Sequence, residues 1–286
     1  MADIGIVVDS VACIPRQQLE KYGIRVVPVN IFFNGHVYRD WVDLSATQAY
    51  ELLKKAPEFW KSSAASPEDY LKVFLELSER TRSILVVTIS SKLSMFYTSA
   101  QTARELVREK LPDIEIEVLD SETAAAAEGL IALAAARAAA EGKDPSEVVA
   151  VARKVKERVS FIGLLETIRY VYRTGRIPKI AAEVGSMLSV KPILSSSNGV
   201  IHFAGIARTH QSGVERMLQM MRNHLGSAKA VHVAVMHADA PGGAEKLRER
   251  VAAEFNCAEL FVTDFSPVMG YATGRGTLAV AFYGEE

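Results

Sequence analysis

Continuous apolar runs alternate along this chain with stretches whose apolar positions recur at helical spacing. The runs predict strands over residues 4–9, 24–33, 83–89, 114–119, 159–164, 190–195, 200–206, 229–236, 258–264 and 277–283. Helical spacing predicts helices over 15–22, 45–56, 67–80, 95–110, 122–141, 145–158, 166–173, 179–187, 211–225 and 242–255. Strands and helices in alternation argue for α/β layers. Several starts carry their own mechanism. Ser66-Pro67-Glu68-Asp69 sets a hydroxyl before a proline at the first helical position, with acids in the first turn, and Asp144-Pro145-Ser146-Glu147 repeats the arrangement. Asn34-Gly35 and Asn198-Gly199 read as hairpin turns, since both residue types tolerate positive φ. No internal repeat or low-complexity linker appears. A boundary near residue 160, after the helix at 145–158, divides the chain into two α/β units, 1–160 and 161–286.

The most informative stretch is 83–100. A β-branched run from Ile84 to Ile89 stops at Ser90, Ser91 and Ser94, and a helical pattern begins directly behind them. Free N–H groups at a helix start, with hydroxyls beside them, seat an anionic head group. The same serines are also good helix caps, and the residues alone leave both readings open.

Composition narrows the field. Of 286 residues, 49% are hydrophobic and 23% charged, the balance of a soluble globular protein. A net charge of −1 gives no electrostatic reason for nucleic acid as the main partner. Cys13 and Cys257 form neither a disulfide framework nor a metal spacing, so a reducing cytoplasm is the simplest compartment. The first nine residues lack a basic region and a cleavage site, and read as a strand, not a signal peptide. The Ala-rich stretch 123–140 contains Glu128 and Arg137, with Glu122 just before it. A buried helix of small residues explains it better than a membrane span, so no integral membrane segment is expected.

The search for chemistry is largely negative. There is no phosphate loop, no G-x-G-x-x-G after the first strand and no G-x-S-x-G elbow. His232 and His237 lie five apart on a predicted strand and face opposite sides, which a shared metal could not use. A triad of Ser90, His237 and Asp9 can be written on paper, as in any serine-rich chain. What remains is a set of loops at strand ends rich in hydroxyls or glycine: Asp9-Ser10, Ser62 to Ser66, Ser90 to Ser94, Asp120-Ser121 and Gly270 to Thr277. In open α/β sheets such loops gather in one crevice where ligands bind.

Spacing and order along nearly the whole chain then resemble a known family. The marks are Val8-Asp9-Ser10 with Ile14-Pro15, Val26-Val27-Pro28-Val29, Tyr38-Arg39-Asp40, and Ser62-Ser63 leading into Ser66-Pro67-Glu68-Asp69-Tyr70. Ile89-Ser90-Ser91-Lys92-Leu93-Ser94 with Tyr97 to Ala100 follows, then Leu119-Asp120-Ser121 and Tyr170 with Gly175-Arg176-Ile177. Val190 to Leu194, Asn198-Gly199, Arg208-Thr209 and Gly270, Gly274 and Gly276 complete the set. The sequence is similar to the DegV family, bacterial proteins that bind fatty acids.

The resemblance implies a two-domain α/β fold, each domain a sheet flanked by helices, with one long-chain fatty acid enclosed between and within the domains. It implies a binding protein with no cofactor beyond the lipid, compatible with transient membrane contact and presenting the carboxylate to a separate fatty acid kinase; the oligomeric state is open, with a monomer the simplest expectation. Carried over by position, the head-group hydroxyls are Ser62 and Ser94, with Ser91 and Thr273 beside them. Arg176 and Arg208 are the implied contacts to the kinase or to an acyl phosphate. The family's head-group histidine falls on Ala272, its following proline on Arg275, and the Gly-Thr after the motif serine on Met95-Phe96. Arg275 is therefore the expected replacement for the lost donor, and Met95, Phe96 and Ala272 the expected lining of a remodelled pocket. A serine-dependent hydrolase or phosphotransferase, and a homologue whose pocket has closed, are the competing readings.

Overall fold

The computed structural model describes residues 4–55, 60–177 and 190–285; the helix predicted over 179–187 lies outside them. β1 (Ile4–Asp9), β2 (Arg25–Val27), β6 (Ser83–Thr88) and β7 (Glu115–Asp120) form a parallel sheet in the order β2-β1-β6-β7. Such strands are covered on both faces, which is why Ile84 to Val87 is apolar without alternation. The run 24–33 is divided. Pro28 offers no N–H to a ladder, so β2 ends before it. β3 (Asn30–Phe33) then starts a separate antiparallel sheet, between β4 (His36–Arg39) and β5 (Lys61–Ser63). β4 and β5 are short and carry no apolar run, so periodicity does not announce them.

The strands after residue 160 make a second sheet. β8 (Ser160–Leu164), β9 (Lys191–Ser197), β10 (Val200–Ala207), β11 (Val231–His237), β12 (Cys257–Asp264) and β13 (Leu278–Gly284) lie in the order β10-β9-β8-β13-β11-β12. Both Asn-Gly pairs sit at antiparallel hairpins with positive φ at each residue. Residues facing one side of β11 and β13 are Val233, Val235, Val280 and Phe282, which pack with Met217 and Leu218 of α8 (His210–Leu225) and Leu247 of α9 (Pro241–Glu254). The alternate residues Ala234, Ala238, Ala279 and Ala281 join the other core, which extends through the first sheet.

The helices of the first half are α1 (Arg16–Tyr22), α2 (Ala46–Lys55), α3 (Pro67–Ser78), α4 (Phe96–Lys110), α5 (Ala126–Ala140) and α6 (Pro145–Lys156). α3 and α6 start in complete capping boxes at Ser66 and Asp144, as their sequences foretell. α5 packs against β1 and β6 of the first sheet and against β11 and β13 of the second. It has no solvent face to make polar, and small residues let both sheets approach its backbone. Gly129 is obligatory here, since a Cβ would lie 2.4 Å from the Ala12 carbonyl oxygen. At the far end, Arg137 forks onto both oxygens of Glu259 at 2.8 and 2.9 Å and reaches the Tyr283 hydroxyl, tying α5 to the edge of the second sheet. Among the described residues, no helix is long and apolar enough to cross a membrane.

Glu128 sits in the first turn of α5, fully buried. The Asp9 amide faces it, yet neither of its oxygens makes a well-formed hydrogen bond among the described residues. Burial first, and then the Asp9 charge, push its pKa well above the ordinary value, so the folded chain keeps it protonated. The native state then holds a proton that the unfolded chain gives up above the ordinary value of 4.5. That stability is complete in acid and is lost as pH rises toward the folded pKa. Glu128→Gln removes the titration. The variant is expected to gain stability over the parent as pH rises above about 5, by up to about 1.4 kcal/mol per pH unit. Urea unfolding across pH checks this, and parallel pH profiles for the two chains would refute it.

Candidate functional site

The loops at the C-terminal ends of β1, β6 and β7 converge on a cleft of about 830 Å³, its open mouth included. The strand ends supply Val11, Ile89 and Ala124, and the link between β2 and β3 supplies Val29. A second wall is α10 (Pro267–Thr273), which contributes Val268, Met269, Tyr271 and Ala272. The third comes from α7 (Arg169–Thr174) and the residues after it, with Ile201 of β10. The lining is apolar except for a few groups. The Ser62 and Ser94 hydroxyls have no hydrogen-bond partner among the described residues, and Arg176 lies on a Thr174 carbonyl at 2.6 Å.

α10 corrects the reading of 270–277 as loop. Ser266 caps it, accepting from the Met269 amide, and Pro267 occupies the first turn. This is the Ser-Pro signal seen at Ser66-Pro67, here overlooked beside three glycines. Tyr271 stacks on Trp60 at 5.4 Å and donates to its carbonyl at 3.2 Å, which fixes the α10 wall from below. Gly274 ends the helix at φ 86°, where a Cβ would meet the Tyr170 ring at 2.3 Å.

The Ser90–Ser94 loop is not a cap. α4 starts behind Met95 with no side-chain cap, so its first amides are free of side-chain partners. The Ser90 hydroxyl is turned away: it donates to the Gly199 carbonyl at 2.6 Å and accepts from the Lys92 amide. Lys92 donates to Asn198, and Thr123 meets Ser196 at 3.0 Å, so three contacts hold the β9–β10 hairpin against the first sheet's loops. The paper triad does not form. Asp9 accepts from the Val11 and Ile89 amides, and His237 faces Asp264 across the fold from Ser90's partner. Burial and those neighbours' geometry leave Asp9 raised to about 7, the two amides opposing the rise.

The other expected site residues divide. Ser62, Ser94, Phe96, Ala272 and Arg176 line the cleft. Arg275 does not: its guanidinium pairs with Asp239, which occupies the charge that was expected to replace the histidine. Thr273 turns its hydroxyl back onto the Met269 carbonyl, the normal fate of a helical threonine. Met95 is 61% exposed and outside the lining, while Phe96 beside it is buried against Tyr70, because adjacent helical positions face different ways. Ser91 and Arg208 are exposed and also outside it. Among the described residues no cluster of His, Cys, Asp or Glu is arranged to hold a metal.

Sequence reasoning overlooked Asp40 as a site element. Fully buried, it accepts from the Ser10 hydroxyl at 2.6 Å and from the Val268 amide at 3.1 Å, while the Ser10 oxygen accepts from the Val29 amide at 3.0 Å. Its place after Tyr38-Arg39 in a polar strand gave no hint of burial.

Comparison with known proteins agrees with this architecture. The family model described as "Uncharacterised protein, DegV family" matches residues 3–285. A DegV domain-containing protein of Clostridium perfringens is 29% identical over 98% of each chain, and one of Caldanaerobacter subterraneus is 31% identical over 84% of each. Among solved structures, a DegV family protein from Thermus thermophilus, described for its fatty acid binding, superposes with a TM-score of 0.91 at 27% identity over 100% of both chains. DegV from Bacillus subtilis, described as a fatty acid binding protein, gives 0.88 at 26% over 100% of both. A stearic acid-binding protein from Eubacterium ventriosum gives 0.88 at 26%, covering 99% of this chain and 98% of its own.

The positive-φ end of α10 yields a check on how the wall is held. Gly274→Ala, which meets both positive φ and the Tyr170 ring, is expected to lower stability by about 1–3 kcal/mol in urea unfolding. An unchanged midpoint would show that α10 ends differently.

Proposed function

The chain belongs to the DegV family, and on that premise we propose that it binds one long-chain fatty acid, or a similar single-tailed lipid, in the cleft between α10 and the strand ends. The observation that carries this is an apolar lining that also holds the Ser62 and Ser94 hydroxyls, which have no hydrogen-bond partner among the described residues, beside the uncapped start of α4. An acyl chain fits the apolar walls, and a carboxylate fits two hydroxyl donors near the positive end of a helix. The Thermus, Bacillus and Eubacterium proteins, each described by a fatty acid it binds, support the reading.

Magnitudes show that the missing histidine is not fatal. Burying about fourteen methylenes at roughly 0.8 kcal/mol each is worth on the order of 11 kcal/mol gross, before association costs. One hydrogen bond to a charged group is worth about 1.5–3 kcal/mol. Loss of a donor at Ala272 therefore re-aims or weakens the head group while the chain remains held. With Arg275 engaged by Asp239, Arg176 is the cation that lines the cleft.

We further propose that the protein carries its lipid in the cytoplasm as a monomer and presents the carboxylate to a separate kinase, with Arg176 and Arg208 as contacts. The chain has no nucleotide-phosphate loop of its own. A serine hydrolase is disfavoured by the lining, which holds no histidine to act as a base for Ser94.

Denaturing extraction and mass spectrometry of the purified protein are expected to release about one long-chain fatty acid per chain; no bound lipid, together with no uptake of added palmitate or oleate, would overturn the proposal. Ser94→Ala is expected to weaken oleate binding by about tenfold to a hundredfold, as one lost hydrogen bond to a carboxylate requires. An unchanged Kd would remove Ser94 from the anchor.

A further inference from the structure

Asp40 sits where a carboxylate has no electrostatic reason to be. It is fully buried at the end of β4, with the antiparallel sheet behind it and the start of α10 in front. The titratable groups that face it are Asp9 and Cys13 from the β1 end and Tyr50 from α2, and none is a cation. Two donors hydrogen-bond it instead, the Ser10 hydroxyl and the Val268 amide, with Ser266 close by. Each belongs to a segment that shapes the cleft. Ser10 precedes Val11 and also accepts from Val29, and Ser266 and Val268 open α10. A carboxylate accepts from both at once, whereas a protonated acid or an amide must turn a donor toward one of them.

We propose that Asp40 is a positioning residue of the lipid site, its carboxylate clamping the α10 wall against the loops that carry Val11 and Val29 and so setting lipid affinity. This inference rests on the fatty-acid-binding reading above. Burial raises the Asp40 pKa to about 7, with the Ser10 and Val268 donors and the nearby Ser266 opposing the rise. The clamp is therefore complete above neutrality and loosens as pH falls through that value.

The test compares oleate affinity of the parent chain and Asp40→Asn from about pH 6 to about pH 8.5; the ligand's own titration cancels in the ratio of the two. The parent is expected to bind about tenfold more tightly than the variant at about pH 8, the effect of one hydrogen bond to a charged group, and within about twofold at about pH 6, where Asp40 is neutral like its replacement. A ratio that is near one throughout, or large but independent of pH, overturns the proposal; the second outcome marks Asp40 as purely structural. Ser10→Ala supplies an independent reading that also serves if Asp40→Asn does not fold. It removes a donor that favours the charged form, so the midpoint of the affinity profile is expected to move upward, and an unmoved midpoint overturns the proposal. A parent chain that binds no oleate at any pH instead refutes the fatty-acid-binding reading itself.

Discussion

Everything in this structure is arranged around a helix that has no outside. α5 lies between the parallel sheet and the second sheet, with α6 and α1 against its remaining surface, so each of its faces meets another element of the fold. A helix so placed gains nothing from an amphipathic pattern, and bulk on any face would push the sheets apart. Alanine is the residue that resolves both demands, since it has the best helix propensity and the least volume to accommodate. The second sheet turns Ala234, Ala238, Ala279 and Ala281 toward this core, beside Met236 and Tyr283, and Val233, Val235, Val280 and Phe282 toward α8 and α9. Small against small lets the layers close, and the cleft lies where the strand-end loops and α10 stand beyond that contact.

The cost of this close packing is polar. Asp9, Asp40 and Glu128 are fully buried without a cation against them. Two of the three hold loops through backbone amides and hydroxyls: Asp9 joins the ends of β1 and β6, and Asp40 joins the β1 loop to α10. A charge stabilised only by donors is easily neutralised, which makes the geometry of the cleft wall sensitive to pH in a way that an Arg-paired carboxylate would not be. The surface behaves oppositely. Glu215 and Glu245 lie against arginines and are held below the usual carboxylate range, and being exposed they contribute little to the fold.

The Ser62–Ser94 end of the cleft departs from the pattern that the family resemblance implies. Ala272 faces the cleft as a plain apolar surface, and Phe96, the bulk that replaced a small residue, is packed into the core against Tyr70 instead of closing the mouth. Ser62 and Ser94 have hydroxyls without a hydrogen-bond partner among the described residues, set among apolar neighbours. The neighbouring Ser90 looks equivalent in sequence, yet its hydroxyl is consumed by Gly199 on the facing hairpin.

Much of this was legible in the chain. Ile84 to Val87 declared a buried parallel strand, Ser66-Pro67 and Asp144-Pro145 declared helix starts, and the two Asn-Gly pairs declared hairpins, because each signal is set by neighbours within a few residues. The Ala-rich stretch declared a helix buried all round. What the sequence could not determine is where side chains end up across long separations. That Arg275 is engaged by Asp239, that Ser90 meets Gly199, and that Asp40 reaches Val268 all depend on segments brought together by the layered core. Local pattern fixes φ, ψ and the buried face of each element, whereas a hydrogen-bond partner more than a hundred residues away is chosen only when the sheets have packed.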